Sequence, residues 1–242
     1  MQPYWTDKKG RVSLYHGDCR DVMSALPDTA YQMILTDPPY GIDWASKQGT
    51  RMVRVTNDHE HDISIVETSM AQAARILQPG CPGLYFCSDS KSLIMAKWIM
   101  MMHRFLPVDE VVTWVKPGFG FGSRYRRCKE AIIVGYRTGI PPRWFGGRSQ
   151  GNVICAKKVM PCRENGFHPT PKPVALMEQL IKLHTETDDI VVDPFAGSGS
   201  TLLAAIRTGR LSLGIEVEER WCDVIAHRLE KECHRMETDP KN

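Results

Sequence analysis

Short apolar runs alternate with stretches of helical period along most of this 242-residue chain, and that alternation restricts the fold more than any other feature. Strand-like runs fall at Val12 to Tyr15, Gln32 to Leu35, Gly83 to Cys87, Glu110 to Val115, Ala131 to Tyr136, Asp189 to Val192 and Leu211 to Ile215. Helical spacing links Val22, Met23 and Leu26, then Ile65, Met70, Ala73, Ala74 and Leu77, then residues Ser90 to His103. Further helices are predicted over Pro171 to His184 with proline in the first turn, after Thr201, and through Trp221, Val224, Ile225 and Leu229. The pattern is that of an α/β, doubly wound, mainly parallel sheet.

Two stretches break the alternation. Asp43 to Asp62 is polar and aperiodic and reads as a mobile loop; Arg137 to Phe167 is rich in Pro and Gly turns and reads as an irregular insertion. Neither is expected to be a separate unit, so residues 1–242 are read as one domain with 137–167 inserted. With 42% hydrophobic residues there is enough apolar material for a sizeable core, yet no run approaches the ~18 residues of a membrane span. The first residues have neither the basic start nor the apolar run of a signal peptide, which makes the cytoplasm the expected location.

Eight cysteines occur without a Cys-x-x-Cys pair, a distribution expected of reduced thiols in a reducing compartment. Cys155, Cys162 and His168 could supply three zinc ligands, but their spacing is irregular and no metal is expected. Charge is strongly polarised. Between Lys116 and Lys172 stand 12 Lys and Arg against Glu130 and Glu164, a local balance of +10 that leaves −7 on the rest of the chain. Phe119, Phe121, Tyr125, Trp144 and Phe145 are interleaved there. A basic segment with aromatics suits a polyanionic partner whose bases can be stacked, although the aromatics could equally be core.

Two motifs carry chemistry. In Asp193-Pro194-Phe195-Ala196-Gly197-Ser198-Gly199-Ser200-Thr201 a strand ends in an acid and turns through small residues into a helix, a layout that exposes backbone amides to a ligand. Glu216, ending the next strand, is placed to accept from a ribose diol. No Lys follows Gly199 as in a phosphate-binding loop, and Leu202 stands where a dinucleotide fingerprint needs its third Gly. An adenosine cofactor without pyrophosphate, such as S-adenosylmethionine, fits. In Asp37-Pro38-Pro39-Tyr40, two prolines directly after a buried strand stiffen the backbone and remove two amide donors. What remains near the start of the turn are acceptors, the Asp37 carboxylate and the Pro38 carbonyl, beside the aromatic face of Tyr40. A planar ring bearing an amine could stack on Tyr40 while both its N–H bonds are held.

Together these motifs resemble those of the DNA amino-methyltransferases in the β-type order, catalytic motif before cofactor motif. His168-Pro169-Thr170-Pro171-Lys172-Pro173 is similar to the segment preceding that family's cofactor motif, and His16-Gly17-Asp18-Cys19 to the strand end contacting the cofactor's adenine. Trp114-Val115-Lys116-Pro117 and Glu130 also match recurring family positions. The resemblance implies a seven-stranded methyltransferase sheet with circularly permuted motif order, S-adenosylmethionine as cofactor and double-stranded DNA as partner. Asp37, Pro38, Pro39 and Tyr40 would be catalytic. Asp18, Cys19, His168, Thr170, Lys172, Asp193, Phe195, Ala196, Gly197, Ser198, Gly199, Ser200, Thr201 and Glu216 would bind the cofactor. Residues 137–167 would read the target, and a homodimer would suit a palindromic site in a restriction-modification setting, in a bacterial or phage-infected cell.

Asp at position 37 favours adenine N6 over cytosine N4, which in that family goes more often with Ser. Pro171 replaces the family's usual Gln, and Ser200 its frequent Thr. Methylation of RNA or of a protein glutamine would go with Asn before Pro-Pro and a cofactor motif placed first, and neither holds. A non-catalytic DNA-binding module would have no need of an acceptor at Asp37.

Overall fold

The computed structural model describes residues 1–41, 45–48, 51–54, 56, 63–88, 92–118, 125–160, 162, 168 and 170–238. Within them, burial explains which runs became strands. Every residue of Met33–Thr36 (β3), and every residue of Pro82–Cys87 (β6), is buried, as expected of strands covered on both faces. The chain opens with a two-residue strand, Trp5–Thr6 (β1), followed by Val12–His16 (β2), and closes its sheet with Ile190–Asp193 (β10) and Leu211–Glu216 (β11). Val108–Val115 (β7), Lys129–Tyr136 (β8) and Val153–Cys155 (β9) complete it.

These strands form a nine-stranded sheet in the order β1-β2-β11-β10-β3-β6-β8-β7-β9. The seven expected strands are its continuous centre, and the short strands β1 and β9 extend its two edges beyond that expectation. β2, β11, β10, β3 and β6 run parallel; β8 is inserted antiparallel, so that β7 runs with the main set again and pairs β9 in parallel. A two- or three-residue strand is too short to show period-2 alternation, which is why neither edge is legible as a strand.

Among the described residues six helices cover the two faces: Cys19–Ser24 (α1), Ser64–Ile76 (α2), Ser92–His103 (α3), Val174–His184 (α4), Ser200–Arg207 (α5) and Glu219–Thr238 (α6). Side chains alternate along the strands accordingly. Ile34, Tyr85 and Cys87 join Val22, Met70, Ile76 and Trp98 of the α1–α3 layer, whereas Met33, Leu35, Leu84 and Phe86 meet Leu176, Leu180 and Ala204 of α4 and α5. A further cluster packs Val12 and Leu14 under Leu202, Ile206, Ile225 and Leu229.

Three expectations need correction. Proline does not occupy the first turn of α4: Pro173 is its N-cap, extended at φ −63° and ψ 125°, and the helix begins at Val174. Pro171 and Pro173 instead stand ahead of the helix, because a residue before proline is steered away from helical geometry. The stretch 43–62 is not wholly a loop, since Ala45–Gln48 (β4) and Arg51–Arg54 (β5) pair as an antiparallel hairpin; its other residues, Thr56 excepted, lie outside the described ones. Neither strand carries an alternating apolar pattern, so hydrophobic periodicity had nothing to register. Within 137–167, β9 joins the main sheet, while 161 and 163–167 lie outside the described residues. Among the described residues no helix is long and apolar enough to cross a membrane, and no three metal-ligating side chains, Cys155, Cys162 and His168 included, come together.

Candidate active site

β3 and β10 are parallel neighbours, with Val191 opposite Met33 and Val192 opposite Ile34, so both motifs leave the sheet at adjacent carboxyl ends. Thr36, the last residue of β3, fastens them together: its Oγ1 donates to Asp193 Oδ1 at 2.6 Å, in a fully buried position. Phe195 N donates to the same oxygen at 3.1 Å, closing the first bend of the glycine turn. Burial lifts the Asp193 carboxyl to about 6, against the opposing pull of the hydrogen bonds from Thr36 and Phe195 N.

The glycine turn is a close-packed cradle. Gly197 (φ +52°) and Gly199 (φ +75°) both adopt the left-handed conformation. A Cβ on Gly197 would stand 3.1 Å from His168 Nε2, and one on Gly199 would stand 3.0 Å from Ile225 Cγ2. His168 thus lies directly over the turn, edge-on to the Trp221 ring at 4.7 Å, while its Nδ1 accepts from Thr170 N at 3.4 Å. Burial and the nearby cations of Lys172, Arg228 and Arg220 push its pKa down to about 3, leaving the ring neutral.

Glu216 ends β11, next to β10, and lies buried; its Oε2 accepts from Gly197 N at 2.8 Å and its Oε1 from Glu218 N at 2.9 Å. Burial raises this carboxyl to about 7. Four of the turn's amides are already engaged within the fold. Those of Phe195, Ala196, Gly197 and Gly199 are taken by Asp193, Ile215 O, Glu216 and Ala196 O. Two buried carboxyls are hostile to a pyrophosphate. They suit a cationic ligand with a vicinal diol, because the Glu216 carboxylate, with one donor on each oxygen, keeps a lone pair for a hydroxyl. The donor set therefore fits S-adenosylmethionine, a sulfonium cation with a ribose.

Of the other residues assigned to the cofactor, Ser198 and Ser200 bond to each other at 3.0 Å, and Thr201 Oγ1 donates to Leu35 O at 3.5 Å, tying α5 back to β3. Ala196 is buried among the α5–α6 cluster. At the end of β2, Gly17 N donates to Glu216 O at 2.9 Å, which brings Asp18 and Cys19 beside β11. Asp18 caps α1 and forms a two-pronged pair with Arg20, at 2.9 and 2.6 Å. Cys19 is buried in the core beneath α1, and burial raises its thiol to about 12.

The proline corner holds a second cluster. Pro38 and Pro39 are buried, and Tyr40 packs its ring edge-on to Trp98, centroids 6.0 Å apart. Tyr40 OH donates to Asp37 Oδ1 at 2.5 Å, and the Lys172 ammonium pairs with Asp37 Oδ2. Lys172, assigned to the cofactor from sequence, thus lies at the proline corner. Its Nζ is also 3.5 Å from Glu130 Oε2 on β8, and Glu130 Oε1 pairs with Lys116 just after β7. In the sequence Glu130 and Lys116 stand only as family positions, with no role. Strand pairing of Trp114 with Glu130 places them, and no local pattern could reveal that partnership.

The fold and these two linked turns define the class: the architecture of S-adenosylmethionine-dependent methyltransferases. Among solved structures, the PvuII cytosine-N4-specific DNA methyltransferase superposes with TM-score 0.76 at 19% identity, over 96% of this chain and 93% of its own. The M1.HpyAVI complex with S-adenosylmethionine gives 0.68 at 23% identity, over 90% and 99%. The N6/N4 methyltransferase profile, described as DNA methylase, matches residues 146–227. YubD of Escherichia coli (strain K12) is 31% identical over 85% of this chain and 84% of its own length. Type II methyltransferase M2.MboI of Moraxella bovis is 27% identical over 94% and 91%. The chain belongs to the N6/N4 family of DNA amino-methyltransferases, and its cofactor is S-adenosylmethionine.

Proposed function

We propose that this DNA methyltransferase acts on the exocyclic N6 amine of adenine, flipped out of duplex DNA. The observation that supports the reading is the Thr36–Asp193 bond of 2.6 Å, which joins the proline corner to the glycine turn. Bound S-adenosylmethionine supplies a methyl group activated by its sulfonium. The remaining work falls to the chain's own residues. An aromatic amine is a weak nucleophile because its lone pair is delocalised into the ring. Asp37 accepts one N–H and the Pro38 carbonyl the other, which favours a pyramidal nitrogen and stabilises its developing positive charge. Tyr40 and Lys172 each occupy one lone pair of the Asp37 carboxylate, and the second lone pair on each oxygen stays available. Tyr40 offers the stacking face that an extruded base requires.

Topology supports duplex DNA as the partner. The end of β7, the start of β8 and the end of β9 all lie at the sheet edge from which Asp37 and Asp193 emerge. Exposed Arg126, Arg127, Lys129, Lys157 and Lys158 follow or precede those ends directly, with Tyr125 exposed among them. The basic segment is not uniformly a surface, however: Lys116, Arg137, Arg143 and Lys172 serve bonds within the fold. A second copy of the chain would bring a second site onto a palindromic target; sedimentation reads whether it forms.

Expression in a methylation-free bacterial host, with nucleoside analysis and single-molecule sequencing of its DNA, is expected to show N6-methyladenine at one short site. N4-methylcytosine instead would assign the same chemistry to cytosine. Asp37→Ala is expected to keep calorimetric cofactor binding and abolish transfer, with Glu130 remaining as a partner for Lys172; unchanged turnover would remove Asp37 from the mechanism.

A further inference from the structure

Four charged side chains run in alternation at the proline corner: Lys116, Glu130, Lys172 and Asp37. They come from four places in the chain: the ends of β7 and β3, the body of β8 and the approach to α4. The lysines face aromatic rings, Lys116 over Trp114 at 4.8 Å and Lys172 over Phe86 at 5.2 Å. Lys172 is 7% exposed, and Glu130 Oε2 is shut off from solvent with no hydrogen bond closer than the 3.5 Å approach of Lys172. A lysine whose task was to grip the cofactor would not be so placed, buried more deeply than Asp37 and divided between two carboxylates.

We infer that Lys172 is a positioning residue, shared between Asp37 and Glu130, that keeps the Asp37 carboxylate ionised and aimed as an acceptor for the target amine. The inference rests on the methyltransferase reading of this site and assigns Lys172 and Glu130 opposite effects within it.

Burial alone drives the Asp37 carboxyl upward, and the Glu130 carboxylate pushes the same way, while Lys172 and the Tyr40 hydroxyl oppose them. Asp193 at the end of β10 repels Asp37, and Cys87 at the end of β6 faces Tyr40. A protonated Asp37 presents an O–H donor where the reaction needs an acceptor, so the carboxyl's charge state decides whether the amine is held. Glu130 is lowered: burial acts to raise it, and Lys172 with Lys116 overcomes that. It therefore stays an anion that divides the attention of Lys172. This sharing leaves Asp37 capable of releasing part of its ion pair when an N–H arrives.

The test uses the full chain and two readouts. The first is the acid limb of the pH profile of kcat for Lys172→Met, Lys172→Arg and Glu130→Gln. Lys172→Met is expected to move the limb upward by about one to three pH units, the effect of removing an adjacent opposite charge. Glu130→Gln is expected to move it downward, and Lys172→Arg to restore a limb near wild type. The second readout needs neither cofactor nor activity: the side-chain carboxyl carbon of Asp37, assigned by its loss in Asp37→Asn, is titrated by carbon-13 NMR in wild type and Glu130→Gln. Its midpoint is expected to fall in the variant. If the limb and the NMR midpoint stay fixed while activity drops, both residues are merely structural and the inference is lost. Wild-type protein inactive on DNA overturns the function reading alone, and the NMR titration still decides this one. Should Lys172→Met fail to fold, the Glu130→Gln and Lys172→Arg pair carries the test.

Discussion

The bond joining the two motifs gives a prediction whose size can be worked out. Replacing Thr36 by Val keeps a β-branched shape on β3 and removes the hydroxyl that donates to Asp193 Oδ1 at 2.6 Å. A hydrogen bond to a charged group contributes about 1.5–3 kcal/mol. The lower half of that range applies here, because Phe195 N stays on the same oxygen at 3.1 Å. For a chain of this length each kcal/mol shifts Tm by about 2–4 °C, so Thr36→Val should melt about 3–9 °C below wild type. The loss should also depend on pH. Asp193 is raised by burial from 3.8 to about 6, and a carboxyl raised on folding takes up its proton more readily in the native state. Its burial therefore costs nothing below about 3.8 and progressively more as pH climbs through 6. Without Thr36 the ionised form loses a donor, so the deficit should be larger at pH 8 than at pH 5. Urea unfolding at both pH values, with calorimetric melting, measures it, and Asp193→Asn closes a double-mutant cycle. A deficit within about 0.5 kcal/mol of zero, or one equal at the two pH values, would refute the claim that this bond holds the motifs together.

Three further outcomes follow from other parts of the site and fold. Gly197→Ala places a Cβ 3.1 Å from His168 Nε2 in a left-handed conformation, so it should cost about 1–2 kcal/mol and weaken calorimetric S-adenosylmethionine binding; unchanged affinity would take this turn out of the cofactor cradle. His184 is buried against Tyr136, with burial lowering its pKa from 6.5 to about 4, so its contribution is intact above 6.5 and is lost as pH falls from there towards 4. That loss runs at up to about 1.4 kcal/mol per pH unit. Unfolding free energy of His184→Gln should accordingly depend less on pH in that window, and an identical slope would count against it. DNA affinity should fall steeply with salt, and Lys157→Ala with Lys158→Ala should flatten the slope of log K against log salt by about one for each phosphate that is no longer neutralised; an unaltered slope would place both lysines off the DNA.

Much of the architecture was legible because its signals are local. The buried runs that became β3 and β6, the Pro-Gly stop after α2, and the turn residues of both motifs each announce themselves within a few positions. Elsewhere the local signal was absent or ambiguous. Strands β1 and β9 are too short to alternate, the β4–β5 hairpin carries no apolar period, and Pro171 and Pro173 fit a helix's first turn as well as the approach to it that they form. Glu130 and Lys116 lie in plain view in the sequence, yet their role depends on which strands neighbour one another.

By itself, then, the sequence determined the fold class, the family and the two turns to which the proposed chemistry is assigned. Each of these is encoded in backbone-restricting residues and side-chain periods spanning a few positions. Only the tertiary structure decided that Lys172 pairs with Asp37 and Glu130, that the glycine turn gives two of its amides to Asp193 and Glu216, and that Thr36 bolts one motif to the other. Those outcomes depend on pairings between residues 135 and 157 positions apart, set by strand order and burial. A charge or a hydroxyl does not carry in its own neighbourhood the identity of the partner that folding will bring to it.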